Sequence, residues 1–250
     1  MEGSYPGTGV RRSGMFLGLL CAVGLVGVAS LALAPLELAL PAGTEAPRAA
    51  LLLQPALLVA AMTVLGWVAA PRTGLDAPVL GAVADGGDWR RPLKAALAPA
   101  LLAGALSAVM MLVYALLADS ELAGISPDFD VPLVSRALYG GLSEEVLLRW
   151  GVMGGLGWLL LRWGRPLGLY GERALWVANA WAALLFGLGH LPTLYGLLPD
   201  PSDWLVMLVV GANALIGMVF GWLFMRRGLE AAMIAHALAH VIALALAPLL

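Results

Sequence analysis

Leu133-Val134-Ser135-Arg136-Ala137-Leu138-Tyr139-Gly140-Gly141-Leu142-Ser143-Glu144-Glu145-Val146-Leu147-Leu148-Arg149 opens a run that continues, almost wholly apolar, to Leu161. A membrane-spanning helix needs about 20 apolar residues, so the run is long enough to cross a bilayer. An ionisable side chain at bilayer depth costs from about 2.5 to more than 10 kcal/mol. Two adjacent carboxylates and a guanidinium in such a place point to chemistry or ion handling rather than to a plain anchor.

The rest of the chain has the same character. Of its 250 residues 61% are hydrophobic and 12% charged, against about 25% charged in soluble domains. The expectation is an all-α, polytopic integral membrane helical bundle. Seven candidate spans run Met15–Ala34, Ala50–Ala70, Ala95–Ala118, Leu133–Leu161, Ala174–Gly196, Trp204–Met225 and Gly228–Pro248, with a short interfacial segment at Leu75–Ala84. The reading is therefore seven or eight transmembrane helices. They divide into a tail (1–14), about three N-terminal spans (15–132) and a core (133–250). The fourth run is interrupted by Gly140, Gly141, Gly151, Gly154 and Gly155, which suits a tilted, bent or broken helix. Ala32-Leu33-Ala34 has the look of a signal-peptide cleavage site, but Pro35 follows it and the apolar run is long, so an uncleaved first helix is expected.

Positive charge alternates between the loops. Arg11 and Arg12 precede the first span; Arg72, Arg90, Arg91 and Lys94 follow the second; Arg162, Arg165 and Arg173 follow the fourth; Arg226 and Arg227 follow the sixth. The intervening loops hold Arg48 and several acids. By the positive-inside rule the N-terminus is cytoplasmic. The small, Ala-rich, loop-poor chain suggests a bacterial inner membrane. No basic cluster suggests nucleic acid, and the single cysteine, Cys21, offers no internal disulfide and no Cys-based metal site.

The three histidines all lie in expected spans after the Glu pair. His190 follows Phe186 by four residues, as His240 follows His236 and Arg149 follows Glu145, so each pair shares a helix face. Pairing of Glu145 with Arg149 leaves Glu144 in another sector, free for another partner. Taken singly, a buried histidine is more often a hydrogen-bonded core residue, a Glu–Arg pair a structural clasp, and Phe186 packing. Histidines and a Glu pair on three different spans, with no histidine elsewhere, favour a site.

Glu-Glu-x-x-x-Arg, then Phe-x-x-x-His, then His-x-x-x-His, in order on successive apolar stretches, resembles the CPBP family. That family holds the type II CAAX prenyl endopeptidases and the bacteriocin-processing or self-immunity proteins. The resemblance covers roughly Leu133 to Leu250. It implies an intramembrane endopeptidase with a water-accessible cavity between helices, acting on a membrane-associated or lipidated protein or peptide. Carried over by position, Glu144 activates the attacking water and His190 shares that water or steadies its charge. His236 orients the substrate carbonyl or oxyanion, while Glu145, Arg149 and Phe186 support the site. His240 stands where such proteases often have Asn. An imidazole can donate, accept, charge or bind metal, so the oxyanion role and the metal question stay open. Glu144, His190, His236 and His240 would make a workable divalent-metal set, for zinc for example. The resemblance leans towards a metal-free glutamic mechanism, with His240 as the counterargument.

Two other function classes compete. A proton or divalent-cation carrier would need polar groups across both membrane halves, and the first three spans offer little beyond Gln54 and a few hydroxyls. A non-catalytic scaffold or immunity member would be expected to have lost Glu144, His190 or His236, and all are present. Depth is a loose end. At 1.5 Å per residue Glu144 lies about 17 Å from the outer end of its run and His236 about 12 Å from the inner end, but His190 falls about 24 Å from the inner face, too near the outer side. A tilt, a later entry point, or a bend at Pro192 would remove the mismatch.

Overall fold

The computed structural model describes residues 13–40, 45–122, 130–198 and 200–249, and among these it is helical throughout with no strand. Residues 1–12, most of the expected tail with its Arg11 and Arg12, lie outside the described residues, as does Asp128. In chain order the helices are α1 (Gly14–Ser30), α2 (Arg48–Thr73), α3 (Pro78–Ala84), α4 (Arg90–Leu122) and the single turn α5 (Leu133–Ser135). A π-helix (Arg136–Met153) follows, then α6 (Gly154–Trp163), α7 (Gly171–Leu188), α8 (Leu191–Leu197), α9 (Asp203–Arg227) and α10 (Leu229–Leu246).

The ends follow local chemistry. Ser13 and Ser202 cap α1 and α9, each hydroxyl accepting from a backbone N–H three residues on (Phe16 and Leu205, both 3.1 Å). Gly74, at φ 70°, closes α2 in the left-handed conformation. Leu, Val and Ala side chains cover the outer faces of α2, α4 and α9, where a soluble protein would be polar. Leu102 and Leu57, at 74% and 61% exposure, are examples. Such an apolar exterior is what lipid demands.

Six helices are long and apolar enough to span a membrane: Gly14–Leu33, Arg48–Thr73, Arg90–Ala118, Gly171–Leu197, Asp203–Arg227 and Leu229–Leu249. The expected count of seven or eight is corrected to six among the described residues. The fourth expected span, Leu133–Leu161, is not a member of that set. Its charged half is wound as a π-helix and packed inward against α1, α2, α7 and α10, and only its later half continues as α6. The expected interfacial segment is α3.

Polar sutures hold the π-helix in this central place. Ser135 donates to the Ser30 carbonyl (2.6 Å) and Ser143 to the Gly24 carbonyl (2.7 Å), tying it to the end and the middle of α1. The Trp150 indole donates to the Thr63 carbonyl of α2 (3.1 Å) between the rings of Phe16 and Phe224. Arg149 reaches the Gly217 carbonyl of α9 at 3.1 Å. Each of these groups is buried and would otherwise lack a partner in hydrocarbon. Three separate helices therefore fix the rotation of one short segment.

Candidate active site

The π-helix, α7–α8, α9 and α10 enclose a cavity of about 320 Å³. Glu144, His190, His236 and His240 all line it, with Tyr139, Gly140 and Asn213. The residues singled out from sequence are thus brought together around one space.

Glu144 faces the cavity and is 19% exposed, its Oε2 3.7 Å from His236 Nε2. Glu145, its neighbour, is fully buried. Glu145 Oε1 is 2.8 Å from His236 Nδ1 and 3.2 Å from Arg149. The expected intrahelical Glu145–Arg149 pair is present, and it has a third member in His236. Arg149 also lies over the rings of Phe186 (4.9 Å) and Phe220 (5.5 Å), so its charge is held by one carboxylate, one carbonyl and two aromatic faces.

Hydrogen-bond partners set the imidazole tautomers. His190 Nδ1 lies 2.8 Å from the Phe186 carbonyl, which can only accept, so Nδ1 carries the proton. The carboxylate of Glu145 fixes the same tautomer on His236. In both rings the neutral form presents a lone pair at Nε2. His236 is sandwiched between Phe220 (4.6 Å, 26°) and His240 (5.2 Å, 22°), while Phe186 meets it edge-on at 5.8 Å. Phe186 also stands edge-on to His190 at 4.9 Å.

His190 reaches the cavity because α7 stops at Leu188. His190 then caps the separate helix α8, with Pro192 in its first turn. That break falls at the bend anticipated from Pro192, so the ring is delivered by a corner and not by a straight helix.

The donors do not assemble into a metal centre. Among the described residues no three His, Cys, Asp or Glu side chains stand in an arrangement that could hold an ion. The His236 and His240 rings are stacked face to face. The expected zinc set is not assembled in these positions, and no step below runs through a metal.

Sequence reasoning missed Phe220, Gly217, Tyr139, Asn213 and Glu230. Asn213 and Glu230 carried a signal, a lone amide and a lone acid in apolar runs. Glu230 lies away from the cavity, where it accepts from the Leu80 amide (2.8 Å). Tyr139 carried none, because five residues separate it from Glu144. That spacing is about 140° apart on an α-helix and returns to one face only in the i→i+5 winding of a π-helix.

Comparison with protein families matches residues 128–242 to the family described as Type II CAAX prenyl endopeptidase Rce1-like. The match takes in all seven residues singled out from sequence and a little under half of the chain. No curated protein and no solved structure gave a match. With its six apolar helices, this is a multi-pass membrane protein, and its residues 128–242 are similar to the CAAX-protease family.

Proposed function

We propose, from the premise that residues 128–242 form a domain of the Rce1-like, type II CAAX prenyl endopeptidase family, that the chain hydrolyses a peptide bond of a membrane-associated protein with Glu144 as general base. The observation that carries this reading is the division of labour between adjacent carboxylates. Glu145 is buried and spent on Arg149 and His236, while Glu144 faces the cavity with a lone-pair imidazole nitrogen 3.7 Å away.

A water in the cavity gives its proton to Glu144 as its oxygen bonds to the scissile carbonyl carbon. The carbonyl electrons move to oxygen, forming a tetrahedral oxyanion. His190 and His236, presenting acceptors at Nε2, share the water's second proton and so aim its lone pair. Collapse of the intermediate re-forms the carbonyl, breaks the C–N bond and passes the proton from Glu144 to the departing amine. The Nδ1 proton on Glu145 keeps His236 from donating at Nε2 while neutral. The oxyanion role expected for His236 from the family pattern is therefore reassigned here to water positioning. The basic loops put the N-terminus in the cytoplasm, and a surface or secreted protein processed at a bacterial inner membrane is the substrate class that fits.

The test is cleavage, by the purified protein in liposomes, of an internally quenched peptide copied from a cleavage site found only in membranes that contain the wild type. Glu144→Gln is expected to remove cleavage while the thermal unfolding midpoint stays put. Cleavage retained in Glu144→Gln contradicts the mechanism.

A further inference from the structure

A second cavity, of about 740 Å³, lies between α4, α7 and α9 and shares no lining residue with the active site. Its wall is apolar, from Ala98, Leu102 and Leu106 of α4 to Met218 and Trp222 of α9. Arg227, the last residue of α9, is the one charged residue lining it among the described residues. Two helices give the groove the same length. Ala98 to Leu106 spans about 12 Å and Met218 to Arg227 about 14 Å at 1.5 Å per residue. Each is close to half of a hydrocarbon core about 30 Å thick, so the groove runs the depth of one leaflet. At this end α4 opens with Arg90, Arg91 and Lys94 and α9 closes with Arg226 and Arg227. By the positive-inside rule that leaflet is the cytoplasmic one.

The positive charge at this end is unspent. Glu172 of α7 is taken by Arg226 and by the Trp176 indole, which donates to it at 3.2 Å. Arg227 is exposed and makes no ion pair or hydrogen bond among the described residues. Lys94 lies one turn from Ala98 on the face of α4 that carries Ala98, Leu102 and Leu106, and it too is exposed and without such a partner among the described residues. Trp176 and Trp222 each sit five residues from the basic end of their helix, where indoles anchor at a membrane interface.

We infer that this groove holds one anionic phospholipid of the cytoplasmic leaflet, with an acyl chain along α4 and α9 and its phosphate at Arg227 and Lys94. An apolar tract with cations at one end only matches an amphiphile with a single charged head. A second copy of the chain does not match it. Copies inserted with one topology and related by a two-fold along the membrane normal would set Arg227 and Lys94 against their own counterparts, like charge on like. The site stands apart from the proteolytic reading and uses none of its residues.

For the test, the purified full-length protein is stripped of lipid in detergent. It is then given phosphatidylglycerol, phosphatidylcholine with the same acyl chains, or glycerol 3-phosphate as the head alone. Native mass spectrometry counts bound lipid, and the thermal midpoint is followed alongside. One retained phosphatidylglycerol is expected, held about tenfold or more tighter than phosphatidylcholine, with a midpoint raised by that lipid alone. Arg227→Gln should weaken its binding by about fivefold, the worth of one basic residue at an anionic lipid surface. Arg165→Gln, on the same side but outside the groove, should leave it unchanged. Ala98→Trp should fill the groove and expel the lipid. Equal retention of the two lipids, or equal losses in Arg165→Gln and Arg227→Gln, overturns the assignment. So does glycerol 3-phosphate binding as tightly as the whole lipid, a lipid-free dimer that covers the groove, or a folded Ala98→Trp that keeps the lipid. If Ala98→Trp does not fold, the comparison of Arg227→Gln with Arg165→Gln decides.

Discussion

His236 Nδ1 and Arg149 both meet Glu145 Oε1, at 2.8 and 3.2 Å, and all three side chains are buried. One carboxylate oxygen thereby connects the π-helix to α10 and fixes the imidazole in a single tautomer, with Nε2 turned toward Glu144. The neighbouring Glu145 Oε2 has no hydrogen-bond partner, so the arrangement depends on the charge it shares with Arg149.

Removing that charge is expected to strand the guanidinium. Glu145→Gln should cost about 3–5 kcal/mol of stability, the usual penalty for breaking a buried pair from one side. The double variant Glu145→Gln, Arg149→Met should regain most of it, because an apolar side chain of similar volume replaces the orphaned cation. Cleavage should stay impaired in both, since the carboxylate that orders His236 is gone. Thermal unfolding in detergent and peptide cleavage, measured side by side, separate the two effects.

Gly140 is where the histidines come closest to the π-helix. A Cβ there would lie 2.9 Å from His236 Nε2 and 3.0 Å from His240 Nε2. Gly140→Ala should therefore displace both rings and cut kcat by about 10²-fold or more, as misplacement of about 1 Å does in active sites. The thermal midpoint should move little. Wild-type kcat in this variant would show that the edges of these rings take no part.

Much of this was legible in advance. Five of the six spans were readable to within a few residues, because lipid imposes a length and a polarity that composition alone reveals. The sixth, Gly171–Leu197, was readable in extent, but its break at His190 was signalled only by Pro192. Glu145 and Arg149 were readable as partners because i,i+4 spacing survives the change of winding. The π-helix itself was not, since no sequence period marks it, and with it went Tyr139. Phe220 and Gly217 were equally hidden: in an apolar span every face looks alike, and only packing shows which residues meet His236 and Arg149.

The turn between α9 and α10 delivers His236 and His240, and it rests on Gly228. This residue sits at φ 90°, and an added Cβ would run into the ring of Pro78. Gly228→Ala is expected to cost about 1–3 kcal/mol, the range for a non-glycine residue forced into such a conformation. The loss would be seen as a lowered midpoint in detergent, with cleavage reduced alongside it.

Asp76, in the loop between α2 and α3, provides a pH signature outside the spans. Burial raises its carboxyl above the usual carboxylate value. A raised carboxyl favours the folded state while it is protonated. Its contribution is full below the unfolded pKa of about 4 and is lost as pH rises through the folded value. Asp76→Asn keeps an oxygen to accept from the Ala77 amide, as Asp76 Oδ1 does at 2.8 Å. The variant is expected to be more stable than wild type at neutral pH and to lack the wild type's decline in stability from about pH 4 upward. Midpoints measured across that range check both the sign and the window.

The most direct test of the central claim is a mass-spectrometric comparison of protein termini in host membranes carrying either the wild type or Glu144→Gln at equal abundance. The account predicts new termini with the wild type that are absent with Glu144→Gln, and these would name the substrate and the scissile bond. The same termini in both membranes, or none in either, would contradict it.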